Sequence, residues 1–525
     1  MSETKRITSS EEINWSVVTV VIVGTFMAIL DSSIVNVALP KMMVIFSVSE
    51  DSIQWVLTVY MLTLGVIMPL SGFLGDTFGY KRVYFFALAL FVIGSAFCGM
   101  SWSVNSMIGA RIFQAVGGGI LQPIGMAILY NECPRSKMGM VLGVWGISAM
   151  AAPAIGPTLG GYLVEYVNWR MIFYLNLPIG IINLFLVTTS LKETKLVKGK
   201  RLDAPGIVLS TAGFFCLLLA LSNGAKDGWN SPYIVTLLCV SGFSLFAFVL
   251  NELLHPEPLL DLKLFGNFTF SIANIIGSIL SIGMFGAIFL IPMLLQNFLG
   301  QTALKTGLIT FPSAVASGLM MPISGRIFDK YGAKAVTIVG LVIVSLTTYI
   351  LGGINALTPF AMITFWLTIR GAGMGLSLMP ISVAAMNTVP KHLVGKASAL
   401  MNVIRQISAS FGIAMFTTIM QSRGSFHFSN MAESVNMRTD IYYSMQAALR
   451  HIASTLTISP QALGIGLVSK QLVVLSMIKA INDCFIIASC MCLAALFLCF
   501  LVKGGKKAAQ PDLKIKKAKH VAFEG

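Results

Sequence analysis

Charged residues are scarce inside the apolar stretches of this chain, and one acid and one base among them could work as a proton relay. Asp31 lies within WSVVTVVIVGTFMAILDSSIVNVALP, and Arg111 lies within SMIGARIFQAVGGGILQ. The remaining acids fall in tails, in loops or at the ends of apolar runs, where Asp483 is expected to pair with Lys479 one helical turn away. A charge deep in a bilayer is costly and marks function by default. Asp31 stands seven residues from the outer end of its run, and Arg111 seven from the outer end of a run travelling the opposite way. Seven residues of helix span about 10 Å, so the two share one level if their helices are neighbours. Gln114 lies one turn inward of Arg111. Burial opposes the charged form of a carboxylate and a neighbouring guanidinium favours it, which is the balance a proton carrier needs. The alternative is a permanent structural pair. Asn36, Arg370, Arg405 and Gln406 are further polar groups within apolar runs and are candidates to line a cavity.

The elements that must position these groups are membrane spans. The 525 residues are 56% hydrophobic and 11% charged, with a mean hydropathy of +0.83, against roughly 25% charged in soluble domains. Lipid must be part of the solvent, so an all-α polytopic membrane protein is expected. Fourteen runs are long enough to cross a bilayer: 15–38, 52–72, 84–101, 104–128, 138–160, 169–190, 205–223, 231–251, 269–296, 305–325, 335–353, 360–386, 396–420 and 478–502. They divide into a first half at 1–190, a linker with two extra central spans at 191–268, and a second half at 269–525. The net charge of +15 does not indicate nucleic acid, because the lysines and arginines sit in short loops and in the basic tail 503–525. Their bias to one side places both termini in the cytoplasm. The segment ELLHPEPLLDLKLF (252–265) is expected along the inner membrane interface. Residues 421–477 form the long external loop, with IYYSMQAALRHIASTL expected as an amphipathic surface helix.

One stretch occurs twice. MPLSGFLGDTFGYKRV (68–83) is matched without a gap by MPISGRIFDKYGAKAV (321–336), which establishes a duplicated architecture. Each copy is expected as a polar turn after the second span of its half. Gly72, Asp76, Gly79, Lys81 and Arg82, with Asp329 in the second copy, are the candidate residues of a gate on the terminal side. The second copy has Ala335 where Arg82 stands, so its latch is expected to be the weaker. In span 5, AMAAPAIGPTLGG places Pro153, Gly156, Pro157, Gly160 and Gly161 close together. Gly156 and Gly160 make a small-xxx-small pair for tight helix approach, and Pro157 removes a backbone donor.

Several chemistries have no residues to carry them. The eight cysteines lie mostly within apolar runs without metal-ligand spacing, and the five histidines fall in loops or the tail. No GxxxxGK[ST] or HExxH occurs, so neither an enzyme nor an ATP-driven pump is expected, nor a metal or cofactor. The remaining energy source is an ion gradient.

These motifs resemble those of the major facilitator superfamily, in its fourteen-span drug:proton antiporter branch of the EmrB/QacA type. LDSSIVNVALP (30–40), GFLGDTFGYKR (72–82), RIFQAVGGG (111–119) and GPTLGG (156–161) occur in that branch's order. The resemblance implies two six-helix bundles around a central cavity, alternating access, and proton influx coupled to drug export. By the same resemblance Asp31 and Arg111 form the coupling pair, and Gly156 to Gly161 the antiporter helix. Some relatives that export divalent cations carry an acid in span 10; residues 305–325 contain none, which favours neutral or monocationic lipophilic substrates. The expected partners are small lipophilic substrates, protons and the lipid bilayer, with no nucleic acid and a periplasmic adaptor left open. Rival readings on the same fold are an exporter of one native lipid, siderophore or metabolite, a proton-coupled importer, and a sensor that moves nothing.

Overall fold

A computed structural model of the chain describes residues 13–194, 203–434, 444 and 459–501. Among these residues the regular structure is entirely helical. The first half contains α1 (Trp15–Phe46), α2 (Glu50–Ile67), α3 (Leu70–Phe78), α4 (Tyr80–Met100), α5 (Val104–Glu132), α6 (Met138–Tyr166), α7 (Met171–Tyr174) and α8 (Asn176–Ser190). The central hairpin is α9 (Ala204–Asp227) and α10 (Pro232–Leu254). The second half contains α11 (Phe268–Met293), α12 (Ala303–Tyr331), α13 (Ala333–Leu351), α14 (Phe360–Asn387), α15 (Val394–Ser434) and α16 (Pro460–Leu501). Thirteen segments are long and apolar enough to cross a membrane, and α2 with α3 make a fourteenth, bent by 55°. Polar caps set where several helices begin. Ser103 and Ser106 close a capping box at α5, and the Asp203 carboxylate accepts the Gly206 N–H at 2.9 Å to open α9.

The repeated stretch is more helical than its polarity implied. Most of each copy is helix, and the turn reduces to one glycine, Gly79 at φ 91° or Gly332 at φ 84°. Only glycine adopts this backbone without strain. In the first copy the chain bends at Met68–Pro69, where proline supplies no N–H. In the second copy α12 runs through Pro322 unbroken.

Two seams join the halves, and each pairs the second span of one half with the fifth of the other. Along the first, α6 lies against α12 for most of its length. Gly143 meets the backbone of Met321 and Pro322, and at the far end Gly307 faces Thr158. Along the second, α3 packs on the start of α15, where a Cβ at Gly72 would sit 3.1 Å from the Lys396 backbone. Farther out along this seam α9 stands beside both partners. Its Leu218 fills the space at Gly65 of α2, and Trp229 of the hairpin donates to Thr418 Oγ1 of α15 at 2.8 Å. Lys226 at the same end pairs with Asp51 of α2. The two extra spans therefore bridge one seam and leave the other direct.

Two expectations about segments change, and a third gains detail. The chain after α10 turns its leucines into the protein. Leu259, Leu260 and Leu264 are core residues, because the Glu252 carboxylate accepts the Leu259 and Leu260 N–H groups at 3.3 and 2.8 Å and folds the segment inward. Lys396 Nζ fastens it to α15 through the Pro258 carbonyl at 2.6 Å. The external loop is shorter than 421–477, since α15 continues to Ser434 and α16 begins at Pro460; His427 is thus helical. Asp483 pairs with Arg423 at 2.6 Å and His427 at 2.9 Å across two helices, instead of with Lys479. The surface helix expected at 441–456, apart from residue 444, and the tail 503–525 lie outside the described residues.

The closeness of α6 and α12 yields a test. A side chain at Gly325 would overlap the backbone of Gly139, whereas Gly161 of the same α6 has open space around it. Gly325→Leu is expected to cost about 1–3 kcal/mol by overpacking, read as a lower melting temperature in detergent. Gly161→Leu should leave that temperature unchanged, and equal behaviour of the two variants would contradict the packing described.

Candidate functional site

Asp31, Arg111 and Gln114 meet inside the first half. Asp31 is 1% exposed, and Arg111 and Gln114 are fully buried. Arg111 donates through NH1 to Asp31 Oδ2 and, at 2.6 Å, to Gln114 Oε1. Gln114 Nε2 donates to Asp31 Oδ1 at 2.8 Å. The helix register explains the meeting. Residues 111 and 114 are one turn apart and share a face of α5, and α5 crosses α1 at the level of Asp31.

Three residues that sequence reasoning did not single out complete the cluster. Asn176 Nδ2, at the first position of α8, donates to Asp31 Oδ1 at 3.1 Å and to Ser95 Oγ at 3.2 Å. Ser95 on α4 also receives Gln114 Nε2 at 2.7 Å. Tyr60 on α2 stacks under the Arg111 guanidinium, 3.8 Å from ring centroid to Cζ, a favourable cation–π geometry. Asn176 and Ser95 stand out only as polar residues within apolar runs, and nothing in the sequence aims them at Asp31. Every hydrogen-bonding contact on Asp31 is with a donor, so the cluster fits the ionised carboxylate. A buried pair of this kind is held by its hydrogen bonds as much as by its charges.

Span 5 lies against α1 on both sides of Asp31 along the helix. Pro157 has no N–H, which leaves the Pro153 carbonyl four residues earlier without a helix partner. Ser33 Oγ of α1 donates to that carbonyl at 3.2 Å. Side chains at Gly156 and Gly160 would crowd Ser33 and Ile34, two and three residues from Asp31. Trp145 Nε1 adds a bond to Thr25 Oγ1 at 3.1 Å. One face of α6 therefore rests on the Asp31 helix and another on α12 of the opposite half. Gly161 contacts neither.

At the terminal face the repeated residues divide. Asp329 reaches across the seam and accepts the Gly139 N–H of α6 at 3.2 Å, with the Met140 N–H beside it. These are orphan donors at a helix N-terminus, the preferred place for a carboxylate. The second copy thus makes a cross-half contact although it has Ala335 where Arg82 stands. Asp76 is buried and accepts the Tyr80 hydroxyl at 2.6 Å. Lys81 and Arg82 stay within the first half, on the Thr188 carbonyl at 2.7 Å and on Glu193 at 3.4 Å. Asp31 is also not the one enclosed acid: Asp76, Asp203 and Glu252 are each at most 8% exposed, because helices extended past the apolar runs carry them into the packed end of the protein. Of the other polar candidates, Arg370 donates to Thr348 Oγ1 and the Gly283 carbonyl, both at 3.0 Å. Asn36 is exposed on α1, and Gln406 touches Met61 Sδ at 3.9 Å. Among the described residues no group of side chains could hold a metal ion.

The Major Facilitator Superfamily model matches residues 21–413. A Bacillus subtilis (strain 168) protein named as the uncharacterized MFS-type transporter YhcA is 36% identical over 499 residues, which is 94% of this chain and 93% of that protein. The lincomycin resistance protein LmrB of Listeria innocua is 31% identical over 410 residues, 78% of this chain and 87% of its own length. Among solved structures, the proton:xylose symporter XylE superposes with a TM-score of 0.60 at 14% identity, covering 94% of this chain and 96% of XylE. That likeness speaks to the fold alone.

The buried cluster predicts a non-additive pair. Arg111→Met leaves an uncompensated carboxylate and is expected to cost about 3–5 kcal/mol, whereas Asp31→Leu combined with Arg111→Met recovers most of that loss. Melting temperatures of the purified variants measure both. Equal losses in the single and double variants would contradict a coupled pair.

Proposed function

The chain belongs to the Major Facilitator Superfamily, and from that premise we propose that it is a proton-coupled exporter of lipophilic small molecules. It is a multi-pass membrane protein, and on this reading it resides in the cytoplasmic membrane with its basic, terminal face inward. The observation that carries the proposal is the Asp31–Arg111 cluster together with its direct mechanical link, through α6, to the opposite half. The names of relatives such as LmrB, a lincomycin resistance protein, support drug efflux.

The terminal face is closed in this structure, by Asp329 on the start of α6 and by α3 on α15. The carboxylate of Asp31 is enclosed by donors at the same time. Opening toward the outside releases substrate and admits a proton to Asp31. Neutralising the carboxylate removes its charge-assisted bond to Arg111 and frees α1 to shift against α5. Because Gly156 and Gly160 hold α6 tightly on α1, the shift is passed to α12 and the terminal face parts. Inward opening lets the proton leave as a new substrate enters. Each ligand shifts the balance only through its different affinity for the two states.

Proteoliposomes test the coupling. An imposed proton gradient is expected to drive accumulation of a lipophilic dye by the unaltered protein. Asp31→Asn should abolish that accumulation while still exchanging dye across the membrane at equal concentrations. Accumulation that persists in Asp31→Asn would remove Asp31 from the proton path.

A further inference from the structure

We propose that the second half contains a docking site for an anionic group of the substrate, built on Arg405; the proposal rests on the export reading above and specifies its substrate class. Three arginines lie within spans, and their surroundings differ. Arg111 is ion-paired and Arg370 is bonded to a hydroxyl and a carbonyl. Arg405 makes one long hydrogen bond, from NH2 to Ser382 Oγ at 3.4 Å, and among the described residues no carboxylate lies within ion-pair distance of it. A guanidinium carries five N–H donors, so most of its capacity is uncommitted.

The guanidinium borders a cleft between α11, α14 and α15, walled by Asn274, Ser278, Ser382, Ile381 and Met401. Ser382 Oγ donates to the Leu378 carbonyl at 3.0 Å, and Asn274 Nδ2 to the Phe270 carbonyl at 2.8 Å. The Ser382 hydrogen and one of the two Asn274 amide hydrogens are thus engaged within their own helices, while the Ser278 hydroxyl has no such bond. Ser278, Arg405 and the second N–H of Asn274 therefore offer donors to a cleft whose remaining walls include Ile381 and Met401. An unpaired cation in a span is retained where it has a ligand or pathway to serve. A planar fork of donors suits a carboxylate in particular.

The position favours cargo over lipid headgroups. Arg405 is eleven residues into α15, about 16 Å along the helix, which is deeper than headgroups reach. The space now measures about 20 Å³, close to that of one water. A bulky ligand requires these three helices to move apart within the second half. The site selects against cations, so the expectation of monocationic substrates is revised toward lipophilic carboxylates and phenolates.

Three probes on one scaffold test this: 1-pyrenebutyrate, its neutral methyl ester and pyrenebutyl-trimethylammonium. Their binding to the purified full chain is read from pyrene fluorescence, and their flux from proteoliposomes. The carboxylate is expected to bind about tenfold or more tighter than the ammonium. Arg405→Gln should erase that preference without weakening the ammonium, and Arg405→Lys should retain part of it. An equal loss of all three probes, an unchanged preference in Arg405→Gln, or no binding of the carboxylate would each overturn the proposal. Displacement of the carboxylate by short-chain phosphatidylglycerol at similar concentration would assign the site to lipid and also overturn it. Selective binding with no flux of any probe would uphold the site and reject the export reading.

Discussion

One carboxylate enclosed in a helical bundle and ringed by hydrogen-bond donors constrains the surrounding structure. Asp31 cannot stay charged there without a cation and a full set of hydrogen bonds. Arg111, Gln114 and Asn176 supply them from two helices, with Ser95 and Tyr60 holding the donors in place. Five helices of the first half therefore converge on two oxygen atoms. A proton added to the carboxylate would weaken its charge-assisted contact with Arg111 and leave one of its oxygens without an acceptor role.

The second half keeps the arginine and omits the acid. Arg370 occupies the fourth span of its half, as Arg111 does in the first, but α11 offers it the Gly283 carbonyl and no carboxylate. That contact is charge-neutral at the acceptor, and protonation cannot switch it. The duplicated fold is thus lopsided in its charges, with the Asp31–Arg111 pair in one half and in the other the guanidinium of Arg405, which has no ion partner among the described residues. The helix between them is α6, whose two prolines and small residues let it touch α1 and α12 closely at once. Glycine at positions 156 and 160 sets how closely α6 follows α1, since any larger side chain would hold the two helices apart.

Much of the fold was legible because lipid imposes a simple rule: long apolar runs must be helices. The fourteen runs correspond to the helices found, and the gapless repeat located equivalent points in the two halves. What stayed hidden was polarity satisfied by distant partners. Residues 73–78 read as a turn because of their glycine and acid, yet they are helical, with Asp76 enclosed and bonded to Tyr80. Residues 252–265 read as interfacial, and the reading did not show that Glu252 and Lys396 turn the leucines of this segment into the core. The contact of Asp31, Arg111 and Gln114 could be anticipated from depth and helical spacing. The parts played by Asn176 and Ser95 could not, because which face of α8 or α4 turns inward depends on packing that the local pattern does not encode.

Infrared difference spectroscopy on the reconstituted protein tests the central claim most directly, comparing samples held closed and open at the terminal face. The account predicts a protonated-carboxylic-acid C=O band that appears as the terminal face opens and is absent from Asp31→Asn. A band that does not change between the two states, or one that survives in Asp31→Asn, would show that Asp31 is a fixed structural ion and not the switch.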